Sequence, residues 1–484
     1  MPIRRKSVSG DAARQEQPAE LRRGLAVAVG LALVAAACTG NRDPETSVGV
    51  GGPTATTAKP AASSTTFGDL ASPCGKRDAG AAGGQATAEL GVTNDKVVIG
   101  YGDDAGFTVV PGLSHELSDA MKAMIKWCNG QGGINGRQID GRYYDAKFTE
   151  TNNVVQEACG QVFMLVGEGW ASDGASEETR LGCNLPAVPG YSVTAEFANA
   201  PLMYQGVPNP IDVNPAAWAD QLAKAFPDKV DKASVMFANF AALIDTKDKA
   251  VQAFEKFGWK FLDCPQSYGA LGEADWRPFA QKLKDCGAEA VNYVGTPYPN
   301  FENLLDSAAQ VDYKPIWFAE ANMYDSVFAK WNTNGNGNNV YVRLAFTPFE
   351  EAKQNKATKQ YEDLVKENGG DIALLGMQAT SSFLLWATAA KECGAALTRQ
   401  CVLDNLKKVT KWTGGGLHAA TNPAQNLGPP CGMVMKLQGT KWVRFAPKKA
   451  VTFDCSPDYN VKITGRVVDQ AQLGPDRIST KFKK

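Results

Sequence analysis

The segment of residues 96–145 constrains the fold of this 484-residue chain more than any other stretch. It opens with the β-branched run Val97-Val98-Ile99, which is typical of a buried parallel strand. A glycine-bearing loop follows, and Ser114 can cap a helix whose apolar positions recur at steps of three and four. Glycines between Gly130 and Gly136 then end the helix and turn the chain into a second extended run. This order of strand, loop, helix and strand predicts the first unit of an α/β domain.

The rest of the chain repeats this alternation of short apolar runs and helical patterns. Because the connecting loops are short, the strands are expected to be parallel with right-handed crossovers. Asn214 and Pro215 are expected to cap and start one of the helices. Ligands bind open α/β sheets beyond the carboxyl ends of the strands, so the loops that follow the strands form the candidate site. The predicted strands include residues 97–99, 163–166, 186–188, 234–237, 290–294, 315–318 and 340–342.

An apolar segment near the amino terminus has the layout of an export signal. Arg22-Arg23 precede residues 24–37, which are too few to span a bilayer comfortably, and small residues lead directly into Cys38. A cysteine at the first position of the mature chain resembles a bacterial lipobox, so residues 1–37 are predicted to be a lipoprotein signal peptide. A lipid on Cys38 would anchor the exported chain to the outer face of the bacterial cell membrane. The alternative is a simple secretory signal followed by an incidental cysteine.

The composition changes after the predicted signal. Residues 38–91 are rich in Gly, Ser, Thr, Ala and Pro, and the run GVGGPTATTAKPAASSTT within them has nothing to bury. The sequence therefore predicts a flexible tether over residues 38–91, with folded structure starting near Val92.

Ten cysteines remain besides Cys38, and an even number in an exported chain favours disulfides over metal ligands. Sequence spacing suggests local pairs, and the two cysteines left over would pair with each other. Cys128 lies on an apolar helix face, so a free buried thiol is its alternative. The predicted pairs are Cys159–Cys183, Cys264–Cys286, Cys393–Cys401, Cys431–Cys455 and Cys74–Cys128.

Charge and histidine content argue against several functions. Fifty basic side chains balance 51 acidic ones, so there is no electrostatic footprint for nucleic acid. The two histidines, His115 and His418, lie far apart in the sequence and offer little for a histidine metal centre or a serine–histidine triad. Both are expected to be ordinary surface or capping residues. With no phosphate-binding glycine motif either, the chain is predicted to be no enzyme and to use neither metal nor cofactor.

Several motifs occur in the order of a known family. Ile99-Gly100 and the downstream run Gly132-Gly133-Ile134-Asn135-Gly136-Arg137 match its opening. Cys159 and Cys183 fall where its members bridge a helix to the following strand, and the pair Cys393 and Cys401 recurs there, as do Leu417-His418 and a hairpin over residues 433–445. Residues 92–455 thereby resemble type I periplasmic binding proteins, specifically the branched-chain amino-acid (leucine/isoleucine/valine) receptors of ABC importers, in a lipoprotein form.

The resemblance implies an α/β fold of two lobes, each a mainly parallel sheet flanked by helices, joined by a three-strand hinge. Lobe one would comprise residues 92–206 and 340–430. Lobe two would comprise residues 207–339 and 431–460, followed by a C-terminal extension over residues 461–484.

The resemblance also implies a function. The chain would be the extracytoplasmic solute-binding subunit of an ABC importer. It would close two lobes around a small polar organic ligand, an amino acid or a related compound, and deliver it to a membrane permease with its ATPase subunits. A monomer is expected. The alternative is a ligand-sensing receptor module of the same fold that signals through a membrane partner without transport.

Site residues follow from the same resemblance. Ser172 matches a hydroxyl that binds the ligand carboxylate, Glu320 matches an acid that binds the ammonium group, and Tyr298 matches an aromatic side chain that flanks the ligand. The loops are richer in aromatic and carboxylate groups than in those receptors, which would suit a cationic or aromatic ligand. The expected ligand-binding residues are Asp104, Phe107, Trp170, Ala171, Ser172, Tyr191, Ser192, Phe240, Thr296, Tyr298, Glu320 and Asn322.

Overall fold

A computed structural model describes residues 65–77 and 89–482. The predicted signal peptide, Cys38 and most of the predicted tether lie outside these residues. The described part of the chain belongs to one compact unit, Ala62–Lys484. Within it, no helix is both long and apolar enough to cross a bilayer.

Strands and helices alternate through most of the chain, with short 3-10 turns between some of them. The strands are β1 Thr66–Phe67, β2 Leu70–Ala71, β3 Lys96–Asp103, β4 Gln138–Asp145, β5 Met164–Val166, β6 Ala187–Val188, β7 Val213–Pro215, β8 Ala233–Asn239, β9 Gln266–Gly269, β10 Ala290–Val294, β11 Ile316–Ala319, β12 Val340–Leu344, β13 Cys431–Gln438, β14 Lys441–Ala446, β15 Asp454–Cys455 and β16 Asn460–Lys462. The helices are α1 His115–Gly130, α2 Thr151–Cys159, α3 Glu177–Gly182, α4 Ala195–Ala198, α5 Ala217–Ala225, α6 Ala241–Glu255, α7 Arg277–Asp285, α8 Glu302–Gln310, α9 Ser326–Trp331, α10 Lys356–Glu367, α11 Leu374–Lys391, α12 Arg399–Leu406 and α13 Arg466–Asp469.

The first lobe is built on a parallel sheet of order β4-β3-β5-β6. Its helices come from two distant parts of the chain, because α1 lies against α10 and α11. Leu117 and Met121 of α1 and Phe383 of α11 are fully buried in this core. The apolar side chains of α1, which recur at steps of three and four, therefore form the predicted buried face. They pack against the sheet and against α11.

The second lobe is built on a larger sheet of order β9-β8-β10-β11-β12-β13-β14. The strands from β9 to β12 are parallel, whereas β13 and β14 form an antiparallel hairpin at one end. In its core Phe254 of α6 meets Trp218 of α5 edge to face and stacks on Phe318 of β11, with ring centroids 4.6 Å apart in both pairs. The chain passes between the lobes three times: between α4 and β7, after β12 and before β13.

Two predicted boundaries of the lobes need correction. Residue 340 was expected to begin the return to lobe one, but β12 pairs with β11 in the second sheet, so the chain leaves lobe two only after Leu344. Residues 461–484 were expected to form a separate extension. Instead Val461 pairs with Asn214 between β16 and β7, and Ile463 is buried in the core of the second lobe. Neither strand pairing is visible in local sequence patterns.

The predicted tether ends earlier than residue 91. Phe67 is fully buried and packs edge-on against Trp127, with 5.7 Å between ring centroids. The backbone N–H of Asp69 donates to the carbonyl oxygen of Gly415 at 2.8 Å, and Cys74 is bonded to Cys128. A few apolar anchors within a small and polar composition are therefore enough to hold residues 65–77 on the first lobe.

The five predicted disulfides are all present, so Cys128 is not a free thiol. They link α1 to the amino-terminal segment, α2 to the residue after α3, the segment before β9 to the residue after α7, the turn after α11 to α12, and β13 to β15. The bonded pairs are Cys74–Cys128, Cys159–Cys183, Cys264–Cys286, Cys393–Cys401 and Cys431–Cys455.

Three local predictions are wrong. Ser114 has φ 59° and makes no side-chain hydrogen bond to the start of α1. Asn214 and Pro215 lie in β7, and the helix starts at Ala217, because β16 returns from the end of the chain to pair with them. His418 is not a surface residue: it is 3% exposed, with Nε2 2.8 Å from Ser381 Oγ.

Candidate functional site

A cavity of about 230 Å³ lies between the two lobes, at the carboxyl ends of their parallel strands. Each lobe contributes the loops that follow its strands, together with part of one helix. The lining residues from the first lobe include Ser114, Phe148, Ala171, Tyr191, Leu375 and Gln378, and those from the second include Phe240, Leu243, Lys249, Thr296, Glu320 and Arg343.

Aromatic rings meet across the mouth of the cleft. Phe148 of the first lobe lies against Phe240 of the second, with ring centroids 4.9 Å apart. Phe107 stacks on Phe148 at 4.6 Å and an interplanar angle of 15°. The two lobes are therefore in contact in front of the cavity, and the fold is in a closed arrangement.

A buried carboxylate holds the first-lobe loops in place. Asp104, which is fully buried, accepts hydrogen bonds from the backbone N–H groups of Phe148 and Ala171, both at 2.7 Å. Burial raises the pKa of Asp104 to about 6, although these two hydrogen bonds act in the opposite direction. Phe148 has φ 71°, a conformation that a non-glycine residue adopts only when its surroundings hold it. Asp104 thus positions Phe148 rather than lining the cavity itself.

A second buried carboxylate supports the next loop. Asp173 accepts hydrogen bonds from the backbone N–H groups of Val193 at 2.8 Å and Thr194 at 3.1 Å, and from the Thr194 hydroxyl. Burial raises the pKa of Asp173 to about 7. These bonds fix the backbone beside Tyr191 and Ser192, whose side chains line the cavity.

One end of the cavity is cationic. Lys249 of α6 is 5% exposed, and its Nζ donates to Asn209 Oδ1 at 2.9 Å and to the carbonyl oxygen of Pro210 at 2.6 Å. Both acceptors are neutral, and no acid in the described part of the chain forms a salt bridge with Lys249. Burial lowers the pKa of Lys249 to about 8, and the positive charge of Arg343 acts in the same direction.

Arg343 and Glu320 complete this polar end. Arg343 lies in β12 and donates through Nε to the carboxylate of Glu320, which follows β11. Their side chains are 22% and 13% exposed, so the pair is screened from most of the solvent. Among the lining residues, Lys249 and Arg343 share one carboxylate, so the lining at this end carries a net positive charge. Two further acids near Lys249, Asp212 and Asp245, are paired with Arg477 and Arg466.

Seven of the twelve expected ligand-binding residues line the cavity. The other five lie behind it or beside it. Trp170 is 2% exposed and packs in the first-lobe core, where its indole N–H donates to the carbonyl oxygen of Tyr144 at 3.4 Å. Ser172 donates through Oγ to the carbonyl oxygen of Phe148 at 2.8 Å. The residues in the lining are Ala171, Tyr191, Ser192, Phe240, Thr296, Glu320 and Asn322, and those outside it are Asp104, Phe107, Trp170, Ser172 and Tyr298.

The two cations Lys249 and Arg343 and the ring of Phe148 were not among the residues predicted from the sequence. Arg343 lies near the end of a strand that was assigned to the other lobe, and Phe148 follows the second predicted strand of the opening unit, in a loop from which no candidate was chosen. Lys249 could have been recognised from its spacing, which places it on the same helical face as Ala242 and Asp245. All three residues are buried in the structure. A lysine at an inward position of an amphipathic helix is rare enough to mark a site.

Among the described residues, three side chains are close enough to share a metal ion: His115, Asp119 and Asp371. His115 donates through Nδ1 to the carbonyl oxygen of Gly112 at 2.7 Å, and its Nε2 is 3.0 Å from Asp371 Oδ2. Burial would lower the pKa of His115, but Asp371 and the neighbouring acids outweigh it and raise the pKa to about 9. A protonated His115 therefore accounts for this cluster as a set of ion pairs.

Comparisons with known proteins agree with this geometry. A family model described as periplasmic binding protein matches residues 111–441. A fatty acid ABC transporter substrate-binding protein from Thermomonospora curvata has a TM-score of 0.66 and 13% identity, over 78% of this chain and 97% of that one. The branched-chain amino acid transporter substrate-binding protein LivJ from Streptococcus pneumoniae, in complex with isoleucine, has a TM-score of 0.59 and 16% identity, over 72% and 98% of the two chains.

A third solved structure widens the range of bound molecules. It is a solute-binding protein of an ABC transporter from Rhodopseudomonas palustris in complex with 3,4-dihydroxybenzoic acid, with a TM-score of 0.59 and 14% identity, over 73% of this chain and 97% of that one. At such identities the likeness shows the fold alone, and it confirms the predicted two-lobed α/β class. No curated protein sequence matches the chain.

Proposed function

The chain belongs to the periplasmic binding protein family, and we propose that it is the extracytoplasmic solute-binding subunit of an ABC importer. The observation that carries the proposal is the cavity between the lobes, which is lined from both and bridged by the contact between Phe148 and Phe240. A cavity of this kind forms and opens as the lobes rotate about the three hinge segments.

Ligand binding acts by shifting an equilibrium between open and closed forms. A molecule that contacts both lobes binds the closed form better and raises its population. The permease, with its ATPase subunits, would recognise the closed form and receive the ligand when the lobes separate. In this role the protein needs no catalytic group, because it only captures and presents the ligand.

The ligand is a small organic molecule. The three structural relatives are named for, or hold, a fatty acid, isoleucine and 3,4-dihydroxybenzoic acid, all of which carry a carboxyl group. An amino acid is the ligand expected from the sequence resemblance, with Glu320 as the partner of its ammonium group. Glu320 lines the cavity, but it is already paired with Arg343 and would have to leave that partner.

Export and anchoring complete the proposal. The signal-like residues 1–37 would direct the chain out of the cytoplasm, and a lipid on Cys38 would keep it beside its permease. The five disulfides are consistent with folding in an oxidising compartment.

The test joins binding to uptake. The exported protein is screened by thermal shift against amino acids, organic acids, amides and polyamines, because a ligand that binds only the folded state raises the melting temperature. Cells that lack the protein should lose uptake of the ligand so identified and should regain it with the intact chain. Binding without any change in uptake would support the sensing alternative, and turnover of a compound would contradict both.

A further inference from the structure

We propose that the cavity takes a small apolar monocarboxylate, with its carboxylate at Lys249 and Arg343 and its hydrocarbon body against the aromatic and leucine side chains. The inference rests on the proposed function, because it names the ligand class of the same cleft. It differs from the amino-acid expectation in both the place of the carboxylate, which moves to the second lobe, and the absence of an ammonium group.

The charge of the cavity supports an anion. Lys249 and Arg343 line it together with one carboxylate, Glu320, which leaves one positive charge uncompensated among the lining residues of the described chain. Lys249 is bonded to a side-chain amide and a backbone carbonyl only. Asp212 and Asp245 also act on Lys249, but they form salt bridges with Arg477 and Arg466. A buried charge without a direct ion pair is unfavourable, so a bound anion at this position would stabilise the closed protein.

The donors of Arg343 are free to take that anion. Its Nε donates to Glu320, whereas Nη1 and Nη2 make no hydrogen bond to any residue in the described ranges. A guanidinium group can present two parallel N–H groups to a carboxylate. Arg343 can therefore keep Glu320 as a partner and still bind a ligand carboxylate through its outer nitrogens.

Unpartnered polar groups mark the same cavity. Asn214 is 3% exposed, lines the cavity, and its Nδ2 has no hydrogen-bond partner among the described residues. Gln378 lines the first-lobe side, and its buried Oε1 is likewise unpartnered within residues 65–77 and 89–482. Buried polar groups are nearly always bonded in folded proteins, so both indicate that something bound in the cavity supplies the missing partners. A ligand carboxylate can accept from Asn214 Nδ2, whereas Gln378 Oε1 is itself an acceptor and needs a donor such as a bound water.

The remaining walls are apolar. Phe148, Phe240, Leu243, Leu374 and Leu375 surround the part of the cavity that the charged groups leave. None of these side chains can accept a hydrogen bond from an ammonium group, and the one lining acid in the described chain is already paired. A zwitterion would leave its ammonium group with neutral acceptors such as Gln378 Oε1 and no free carboxylate, whereas a monocarboxylic acid brings no second charge to this part of the cavity.

The cavity volume limits the size of the ligand. At about 230 Å³ it is smaller than the ~300–1,000 Å³ of sites for drug-sized molecules. An aromatic acid with one ring or a short aliphatic acid fits this volume, and a long-chain fatty acid does not. The aromatic and the aliphatic acid share a carboxylate and an apolar body, and the experiment below distinguishes between them.

The decisive experiment compares acids with their neutral amides on the unaltered exported protein. Titration calorimetry is run with phenylacetate and hexanoate, with phenylacetamide and hexanamide, and with phenylalanine and leucine. We expect one or both acids to bind ~10- to 100-fold more tightly than the matching amide, as expected for hydrogen bonds to charged groups. The comparison of phenylacetate with hexanoate shows whether the cavity prefers an aromatic or an aliphatic body.

Variants locate the effect. Lys249→Met and Arg343→Gln should each lower affinity for the acid by about tenfold or more, and by more than they lower affinity for the amide. Lys247→Met is the matched control, because Lys247 lies on the same helix, pairs with Asp248 and does not line the cavity. If a variant does not fold, the comparison of acid with amide on the unaltered protein still decides.

The outcomes separate this inference from the proposed function. Equal affinity for acids and amides, or binding of leucine or phenylalanine that is lost in Glu320→Gln, would overturn the monocarboxylate assignment while leaving solute binding intact. If no compound of the wider thermal-shift panel binds and uptake is unaffected by loss of the protein, the proposed function itself fails.

Discussion

Phe148 of the first lobe lies against Phe240 of the second, with ring centroids 4.9 Å apart. Two residues of the first lobe hold Phe148 in place. Asp104 accepts a hydrogen bond from the N–H of its backbone, which has a left-handed conformation, and Phe107 stacks on its ring. The contact that closes the cleft is thus built on a strained loop residue. Such a contact can form when a ligand draws the lobes together and break when they separate.

The aromatic contact should slow ligand release. Phe148→Ala removes a ring pair of ~0.5–1.5 kcal/mol, so we expect dissociation to be about two- to tenfold faster in stopped-flow measurements with the identified ligand. Phe257→Ala is the control, because Phe257 packs on Tyr459 and does not line the cavity. An unchanged dissociation rate in Phe148→Ala would show that the ring does not gate the cleft.

The pH dependence of stability should reveal Asp104. Burial raises its folded-state pKa from 3.8 to about 6, so between these values the folded state binds more protons than the unfolded one. The stability contributed by Asp104 is therefore present below pH 4 and lost as the pH rises to 6, by ~2–3 kcal/mol.

The measurement is the difference in free energy of unfolding between the unaltered protein and Asp104→Asn, by denaturant titration at several pH values from 4 to 7. The difference should shift in favour of the variant as the pH rises through this window. Other buried acids titrate in both proteins and cancel. A difference that is independent of pH would contradict the raised pKa of Asp104.

Affinity for a carboxylate should fall at alkaline pH. Lys249 has its pKa lowered to about 8 by burial and by Arg343, against the opposing charges of Glu320, Asp212 and Asp245. A bound carboxylate stabilises the charged amine and raises that pKa. Affinity should therefore be level below pH 7 and fall above pH 8 by up to about tenfold per pH unit. Calorimetry in buffers of different ionisation enthalpy should detect proton uptake at pH 9, and Lys249→Met should abolish it.

The amino-terminal disulfide should stabilise the fold more than a short-range one. Cys74 and Cys128 are 54 positions apart, whereas Cys393 and Cys401 are 8 apart. The loop-entropy model gives ~4 kcal/mol for the first and ~2.5 kcal/mol for the second. Replacing both cysteines of each pair by alanine and measuring unfolding by denaturant tests this order. A smaller loss for the Cys74–Cys128 pair would mean that residues 65–77 stay attached without it.

Most of the fold could be predicted from local sequence patterns. The β-branched run at Val97 and the apolar face of α1 are short-range features. The first favours a buried strand and the second favours a helix packed against the sheet. The cysteine pairs were also accessible, because four of the five join residues 8 to 24 positions apart. The strand pairings of β7 with β16 and of β12 with β11 were not, since they depend on segments that meet only in the folded chain.

The candidate site was only partly accessible for a related reason. A strand that ends at the cleft places its next loop there, which is why Ala171, Tyr191, Thr296 and Glu320 were found from position alone. In a loop, unlike a helix or a strand, the directions of successive side chains follow no regular period. Trp170 turns into the core beside Ala171, and no pattern in the sequence distinguishes the two directions.

The sequence by itself therefore determined the layers and the order of the strands along the chain, because hydrophobic period and turn chemistry act over a few residues. Cysteine spacing and short motifs indicated the disulfide pairs and the family. Only the tertiary structure decided which groups line the cavity. Lys249 comes from a helix face, Arg343 from a hinge strand and Phe148 from a loop held by a buried aspartate. The charge of the cavity is the sum of groups that are distant in sequence, and packing alone brings them together.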